Sequence, residues 1–146
     1  MRIYLDNCCF NRPFDDQKQL RVRLETEAKL NIQERILQKA IELAWSYILD
    51  FENTANPFEQ RRVAISIWKN HASVDTDETK EIVEKAERFH QMGIKSKDSL
   101  HLACAISMQC EYFLTIDDEL IKKAEDIKEI KVTDPISFIK EEMNDY

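Results

Sequence analysis

The sequence predicts an α/β domain in which helices cover both faces of a mostly parallel sheet of four to five strands. Short apolar runs, such as residues 2–6 and 112–116, are typical of buried strands. Long segments rich in Glu, Lys, Gln and Leu, such as residues 16–43, contain neither Gly nor Pro and favour helices. The two patterns alternate along the chain. Because parallel strands need long crossover connections, this alternation predicts a three-layer α/β/α sandwich.

The composition predicts one globular domain spanning residues 1–146. The chain is 43% hydrophobic and 34% charged, and its single Gly and three Pro argue against a linker. No apolar stretch is long enough for a membrane span, and the N-terminus lacks the apolar core of a signal peptide. We therefore expect a cytoplasmic protein without a membrane partner. The four cysteines form no Cys-x-x-Cys pair and are expected to be buried, reduced thiols.

In the first half of the chain, residues 2–6 predict a strand, and residues 7–15, which contain Pro13, predict a loop. Residues 16–43 carry apolar residues at helical spacing, which predicts one long helix or two helices that meet near Asn31. The apolar run 45–49 predicts a second strand that leads into a helix around residues 50–52.

In the second half, Asn56-Pro57 predicts a break before a helix at residues 58–71. Val63, Ile67 and Trp68 would form the apolar face of this helix. Gly93 is suited to stop the next helix, at residues 77–92. The remaining predicted elements are a helix at 98–108, strands at 112–116 and 130–132, a short helix at 118–124, and a helix that starts at Pro135.

Three aspartates stand at the ends of these elements. Asp6 and Asp117 each follow an apolar strand, and Asp98 opens the apolar helix. In a parallel sheet the carboxyl ends of the strands share one edge, where ligand sites form. Carboxylates that converge there repel one another unless a cation neutralises them. Mg²⁺ and Mn²⁺ prefer oxygen ligands, which predicts a divalent metal site of the kind used in phosphodiester hydrolysis.

Three motifs in this order resemble the PIN domain. They are Tyr4-Leu5-Asp6-Asn7, the stretch 98–103 (Asp-Ser-Leu-His-Leu-Ala), and the stretch 113–120, which contains Thr-Ile-Asp-Asp-Glu-Leu. The resemblance covers nearly the whole chain, and small single-domain members resemble toxins of the VapC type. It implies a PIN-like fold and a metal-dependent endoribonuclease that leaves a 5′-phosphate and a 3′-hydroxyl.

The resemblance also implies which residues form the site. Asp6, Asp98 and Asp117 match the metal-coordinating aspartates. Glu52 best matches the catalytic glutamate because it follows the second strand, with Asp50 and Glu59 as competitors. Supporting residues are Thr115, which would orient the acidic site, and Asp118, a further acid or a neighbour of the helix start.

Basic residues near the motifs are candidates for contacts to RNA phosphates: Arg12, Lys95 and Lys97. Arg61 and Arg62 are better explained as surface charge, and Tyr112 as core. For Phe10 and Phe14, the sequence allows either stacking on RNA bases or packing in the core. His101 lies one helical turn after Asp98, and we expect a buried structural histidine. The net charge of −7 argues against tight nucleic-acid binding without metal.

The resemblance further implies a small antitoxin partner that places a basic side chain into the acidic pocket, and a homodimer. One departure is that the loop Asn7-Cys8-Cys9-Phe10-Asn11-Arg12-Pro13 lacks the Thr or Ser commonly found just after the first aspartate. An inactive PIN-like binding module is therefore the main alternative. A phosphoacceptor receiver domain ranks last, because the segment after Ile130 offers only Lys131, inside a strand. The RNA target and the preferred metal stay open.

Overall fold

A computed structural model describes residues 1–142. Its core is one sheet of five strands in the order β3-β2-β1-β4-β5, and every pairing between neighbours is parallel. The predicted three-layer α/β class is thereby confirmed. β1 lies at the centre, with Ile3, Tyr4 and Leu5 fully buried. The strands are β1 (Arg2–Leu5), β2 (Glu42–Ser46), β3 (Ala72–Thr76), β4 (Tyr112–Leu114) and β5 (Lys131–Thr133).

Helices connect the strands and cover the sheet. Contacts between neighbouring helices are most extensive for α5 with α6 and for α2 with α8. A short 3-10 helix, Arg12–Phe14, follows α1. The helices are α1 (Asn7–Asn11), α2 (Leu20–Leu37), α3 (Tyr47–Thr54), α4 (Glu59–Lys69), α5 (Lys80–Gln91), α6 (Ser96–Ser107), α7 (Asp118–Lys123) and α8 (Pro135–Glu142).

The first loop prediction was wrong, because residues 7–14 form α1 and the 3-10 helix. Asp6 caps α1, since its Oδ1 accepts a hydrogen bond from the Asn7 amide at 2.8 Å. The second strand is Glu42–Ser46, three residues earlier than predicted, and Ile48 and Leu49 are buried on α3 instead. Short apolar runs look alike in a buried strand and a buried helix, so periodicity alone could not separate them.

β3 was not predicted at all. It lies at the edge of the sheet, and its residues alternate between half-buried and exposed. Its sequence, Ala-Ser-Val-Asp-Thr, therefore contains no apolar run. The predicted apolar face of α4 was wrong for Val63 and Ile67, which are 54% and 51% exposed, whereas Ile65 is buried at 2% exposure. It was right for Trp68, which is partly buried and packs against the core.

Other predicted elements are present in the structure. The region 16–43 contains one helix, α2, without a break near Asn31, but this helix ends at Leu37, and residues 42 and 43 belong to β2. Gly93 has φ 96°, a left-handed conformation that suits glycine, and it lies just after α5. The four cysteines are free, and all but the half-buried Cys8 are buried. Within residues 1–142, no helix is both long and apolar enough to cross a membrane.

Candidate functional site

The carboxyl edge of the sheet collects the acidic residues. Asp6 directly follows β1, and Asp117 is the third residue after the end of β4. Glu52 lies on α3, which begins where β2 ends, and Asp98 lies in the first turn of α6. Since all five described strands are parallel, the ends of β1, β2 and β4 meet at one edge. The four acids of the predicted catalytic set therefore come from different segments but share one region.

Asp6 is held by hydrogen bonds on both carboxylate oxygens. Its Oδ2 accepts from Thr115 Oγ1 at 2.8 Å and lies 3.4 Å from Cys8 Sγ. Thr115 is fully buried, and its Oγ1 also accepts from the Asp117 amide at 3.2 Å. Thr115 thus links the two aspartates and fixes the orientation of Asp6. The Cys8 thiol lies 3.5 Å from the Thr115 hydroxyl, beside the aspartate, where the resemblance implied a Thr or Ser.

His101 joins Glu52 to a buried hydroxyl chain. Its Nε2 is hydrogen bonded to Glu52 Oε1 and lies 3.9 Å from Asp6 Oδ1. Its Nδ1 lies 2.5 Å from the Tyr4 hydroxyl, which in turn lies 2.6 Å from Ser46 Oγ. The prediction that His101 is buried is correct, at 1% exposure. Its place in the site was missed, although the Asp98-x-x-His spacing puts both side chains on one helical face.

The pKa of Asp98 is affected by the negative charge at this edge of the sheet. Its pKa is raised from 3.8 to about 6. Burial is the largest cause, the carboxylates of Asp6, Asp117 and Glu52 also raise the pKa, and His101 lowers it. Each of the three acids makes ionisation of Asp98 less favourable, so Asp98 interacts with all three carboxylates. A cation bound among them would relieve this repulsion.

Asp117 has a structural contact as well. Its Oδ1 accepts from the Glu119 and Leu120 amides at 3.0 and 3.3 Å, which caps the start of α7. Asp98 and Asp117 both line a small cleft, together with Lys95 and Glu119.

Several acids named in the sequence analysis are engaged elsewhere. The Asp118 carboxylate is paired with both terminal nitrogens of Arg21, at 2.8 and 2.9 Å, and lies in solvent. Asp50 accepts from Trp45 Nε1 and Lys69 Nζ, each at 2.9 Å. Glu59 is exposed at the start of α4. Of the three candidates for the glutamate position, Glu52 is the one that contacts His101.

The basic and aromatic candidates also differ in their surroundings. Arg12 forms ion pairs with Asp15 at 3.1 Å and Glu25 at 3.2 Å. Lys95 lines the cleft, whereas the Lys97 ammonium lies over the Phe51 ring. Phe10 is fully buried and Phe14 is partly exposed; Tyr112 is buried in the core, as predicted.

The donor set fits a divalent metal. Asp6, Glu52 and His101 each present one ligand atom, and these atoms lie within 4.8 Å of one another. Carboxylate oxygens suit Mg²⁺ and Mn²⁺, and an imidazole nitrogen suits Fe²⁺, Ni²⁺, Cu²⁺ and Zn²⁺. The acidic repulsion at Asp98 adds a physical reason for a cation there. Of the three aspartates predicted to hold the metal (Asp6, Asp98 and Asp117), only Asp6 belongs to the group formed with Glu52 and His101 among the described residues.

Comparison with known proteins finds similarity in structure. No family model matches this chain, and a search of curated proteins finds no significant match. One chain in the crystal structure of VapBC2 from Rickettsia felis, bound to a DNA fragment from their promoter, is similar with TM-score 0.59 and 17% identity. This match covers 90% of this chain and 97% of that chain.

Two further solved structures show the same likeness. FitAcB from Neisseria gonorrhoeae matches with TM-score 0.58 and 14% identity, over 91% of this chain and 97% of that chain. VapBC-1 from nontypeable Haemophilus influenzae matches with TM-score 0.61 and 16% identity, over 92% of this chain and 98% of that chain. At these identities the likeness concerns the fold. It confirms, at that level, the resemblance to VapC-type PIN domains.

Proposed function

We propose that this protein is a metal-dependent endoribonuclease and the toxin of a toxin–antitoxin pair. The observation that carries the proposal is the convergence of Asp6, Glu52, Asp98 and Asp117 at one sheet edge, where the pKa of Asp98 is raised to about 6. Four interacting carboxylates are poorly suited to a catalytic role without a cation. With Mg²⁺ or Mn²⁺ they form the ligand set that phosphodiester hydrolysis needs.

The residues of the chain have separate roles in this proposal. Asp6, Asp98 and Asp117 hold the metal, and Glu52 completes the acidic site. Thr115 keeps Asp6 in place through the hydrogen bond from its hydroxyl. When bound, the metal would neutralise charge on the phosphate and lower the pKa of a water molecule. Lys95, at the rim of the cleft, is placed to contact the RNA backbone.

A protein partner is part of the same proposal. VapBC2, FitAcB and VapBC-1 support an antitoxin, because their names describe two-component assemblies. α2 and α4 also expose large apolar side chains, as expected of a surface that a partner covers. A basic side chain of a small antitoxin would neutralise the acidic site. We also propose a homodimer, on the basis of the sequence resemblance alone.

An inactive PIN-like binding module is the second candidate. Cys8 favours it, because a thiol next to Asp6 replaces the hydroxyl that the resemblance implies. Calorimetry with Mn²⁺ separates the two functions: a folded protein that binds no Mn²⁺ would support the binding module.

The test is cleavage of a mixed pool of structured RNAs with Mg²⁺ or Mn²⁺. Asp6→Asn and Asp98→Asn should each abolish cleavage and leave the circular dichroism spectrum unchanged, and EDTA should abolish cleavage by the wild type. Asp126→Asn is a matched control. This exposed aspartate precedes β5 and so lies near the amino ends of the strands, away from the site at their carboxyl ends. Full activity in both site variants would contradict the assignment of the site.

A further inference from the structure

The metal site contains a nitrogen donor as well as carboxylates. We propose that His101 Nε2 is itself a metal ligand, and that the Asp6–Glu52–His101 group binds transition ions such as Co²⁺ and Zn²⁺ in preference to Mg²⁺. The inference rests on the proposed function because it concerns the same site. Its starting observation is that one atom from each of these residues lies within 4.8 Å of the others.

The position of the imidazole supports direct ligation. His101 is almost fully buried, and its Nε2 faces two carboxylates, Glu52 at hydrogen-bond distance and Asp6 at 3.9 Å. The ring is fixed on its other side by Tyr4, whose ring lies edge-on at 5.6 Å between centroids. A side chain fixed in this way loses little further conformational entropy when a metal binds. The nitrogen is thus held where a cation between Asp6 and Glu52 would contact it.

The hydroxyl chain behind the ring permits the tautomer that a ligand needs. Without metal, an Nε2 proton is donated to Glu52, and Nδ1 can accept from Tyr4. With metal, Nε2 must be free of its proton, so Nδ1 must carry one. Tyr4 can then accept from Nδ1 and donate to Ser46, because a hydroxyl both donates and accepts. Metal-ligating histidines almost always donate their second N–H to such an outer partner.

The nitrogen donor determines which metals are favoured. Mg²⁺ is a hard ion that prefers oxygen ligands and retains several waters. Imidazole suits Zn²⁺, and affinity for nitrogen and oxygen sites rises along the series from Mn²⁺ to Co²⁺ and beyond. An all-carboxylate site would lack the contribution of the imidazole. His101 therefore predicts tighter binding of Co²⁺ than of Mg²⁺.

The first experiment uses the wild-type full chain and ¹⁵N-labelled imidazoles. NMR should show that Zn²⁺ removes the proton from His101 Nε2 while Nδ1 carries one. The chain has three histidines, and the other two are internal controls. His71 is exposed, and His90 Nδ1 lies 2.9 Å from the Ile94 carbonyl. An Nε2 that keeps its proton at saturating Zn²⁺ would overturn the inference.

The second experiment compares affinities for Co²⁺ and Mg²⁺ by calorimetry. His101→Gln should lower the ratio of Co²⁺ affinity to Mg²⁺ affinity by at least about tenfold. Loss of a residue that only supports a metal ligand already lowers metal affinity by about tenfold or more, and loss of the ligand itself should cost no less. His71→Gln should leave the ratio unchanged. Tyr4→Phe removes only the hydroxyl behind the ring, so it should also weaken Co²⁺ binding more than Mg²⁺ binding.

The outcomes separate the two proposals. Mg²⁺ binding that requires Asp98, together with an unchanged Co²⁺ to Mg²⁺ ratio in folded His101→Gln and Tyr4→Phe, would overturn the inference and leave the nuclease proposal intact. A folded wild type that binds neither ion would contradict both.

Discussion

At the scale of single residues, Asp98 is the group whose ionisation matters most. Its pKa is raised from 3.8 to about 6, first by burial and then by Asp6. The folded state therefore binds this proton more tightly than the unfolded state. Ionisation of Asp98 therefore destabilises the folded state relative to the unfolded state. This loss of stability grows as pH rises from about 4 to about 6 and is fully present above that range. Near neutral pH, Asp98 is charged and available to a metal.

Metal affinity should consequently depend on pH. Below the pKa of Asp98, a metal must displace its proton, so affinity should fall by up to about tenfold per pH unit as pH falls from roughly 6 to 5. Calorimetry with Mn²⁺ at several pH values measures this slope. Asp98→Asn should bind more weakly and with a smaller pH dependence, while Asp126→Asn should keep the wild-type slope. Equal wild-type affinity on both sides of the pKa would contradict the role of Asp98.

At the scale of elements, Asp117 combines a proposed role as a metal ligand with an observed role as a helix cap. Its Oδ1 accepts from two amides at the start of α7. Asparagine can cap a helix about as well as aspartate, whereas alanine cannot. The two substitutions therefore separate the structural role from the metal role, because both remove the charge and only one removes the cap.

Asp117→Ala should be less stable than Asp117→Asn by about 1 kcal/mol, the usual cost of a lost cap. Urea denaturation measures the difference, and both variants should lose Mn²⁺ binding. Thr79→Ala is a matched control, since Thr79 caps α5 through the Ile82 amide at 3.2 Å. It should lose similar stability and retain metal binding. Normal Mn²⁺ affinity in Asp117→Asn would remove Asp117 from the site.

A buried ammonium group on α2 lies against aromatic rings of α1 and α4. Lys29 is almost fully buried, and its Nζ lies 5.2 Å from the centre of the Phe10 ring and 5.6 Å from that of Trp68. No carboxylate pairs with it within residues 1–142. Burial lowers its pKa from 10.5 to about 8. Since the lysine is charged in both states below pH 8, its cost to stability is fully present at neutral pH.

Lys29→Met should raise the free energy of unfolding at neutral pH by on the order of 2 kcal/mol. The advantage over the wild type should shrink as pH rises from about 8 toward 10, because the wild-type lysine then loses its proton on folding at a free-energy cost that falls as pH approaches the unfolded pKa. Urea denaturation at two pH values checks this. Lys18→Met, at an exposed position, should change little. Equal stability of Lys29→Met and the wild type would show that the buried charge is compensated.

At the scale of the whole molecule, the proposed metal site predicts that metal binding and folding are coupled. The site combines side chains from the ends of β1 and β4 and from α3 and α6, so it exists only in the folded chain. A ligand that binds only the folded state stabilises it by mass action. The net charge of −7 adds to this effect, because a divalent cation reduces self-repulsion in an acidic domain.

Mn²⁺ at a hundred times its dissociation constant should stabilise the protein by about 2.7 kcal/mol. For a domain of this size, that corresponds to a rise in Tm of roughly 5 to 10 °C. Differential scanning calorimetry with Mn²⁺ and with EDTA gives the shift. The rise should be much smaller in Asp98→Asn and complete in Asp126→Asn. A wild-type Tm that is insensitive to Mn²⁺ would argue for the inactive binding module.

The sequence by itself was sufficient for the fold class and for most central elements. The predicted strands at 2–6 and 112–116 lie within two residues of β1 and β4, and the helix at 98–108 overlaps α6 almost completely. Gly93 follows α5 as expected. These features depend on local properties: apolar runs, helical spacing and the conformational freedom of glycine. The placement of Asp6, Asp98 and Asp117 at element ends was visible for the same reason.

Only the tertiary structure decided which side chains meet. Glu52 is distinguished from Asp50 by its contact with His101, which is 49 residues away. Asp118 is paired with Arg21, 97 residues away, and Arg12 with Glu25. β3 forms an edge strand without an apolar run because β2 supplies its hydrogen bonds. Local propensity determines whether a segment is a helix or a strand, but partners so distant in sequence are chosen by the packing of the whole domain.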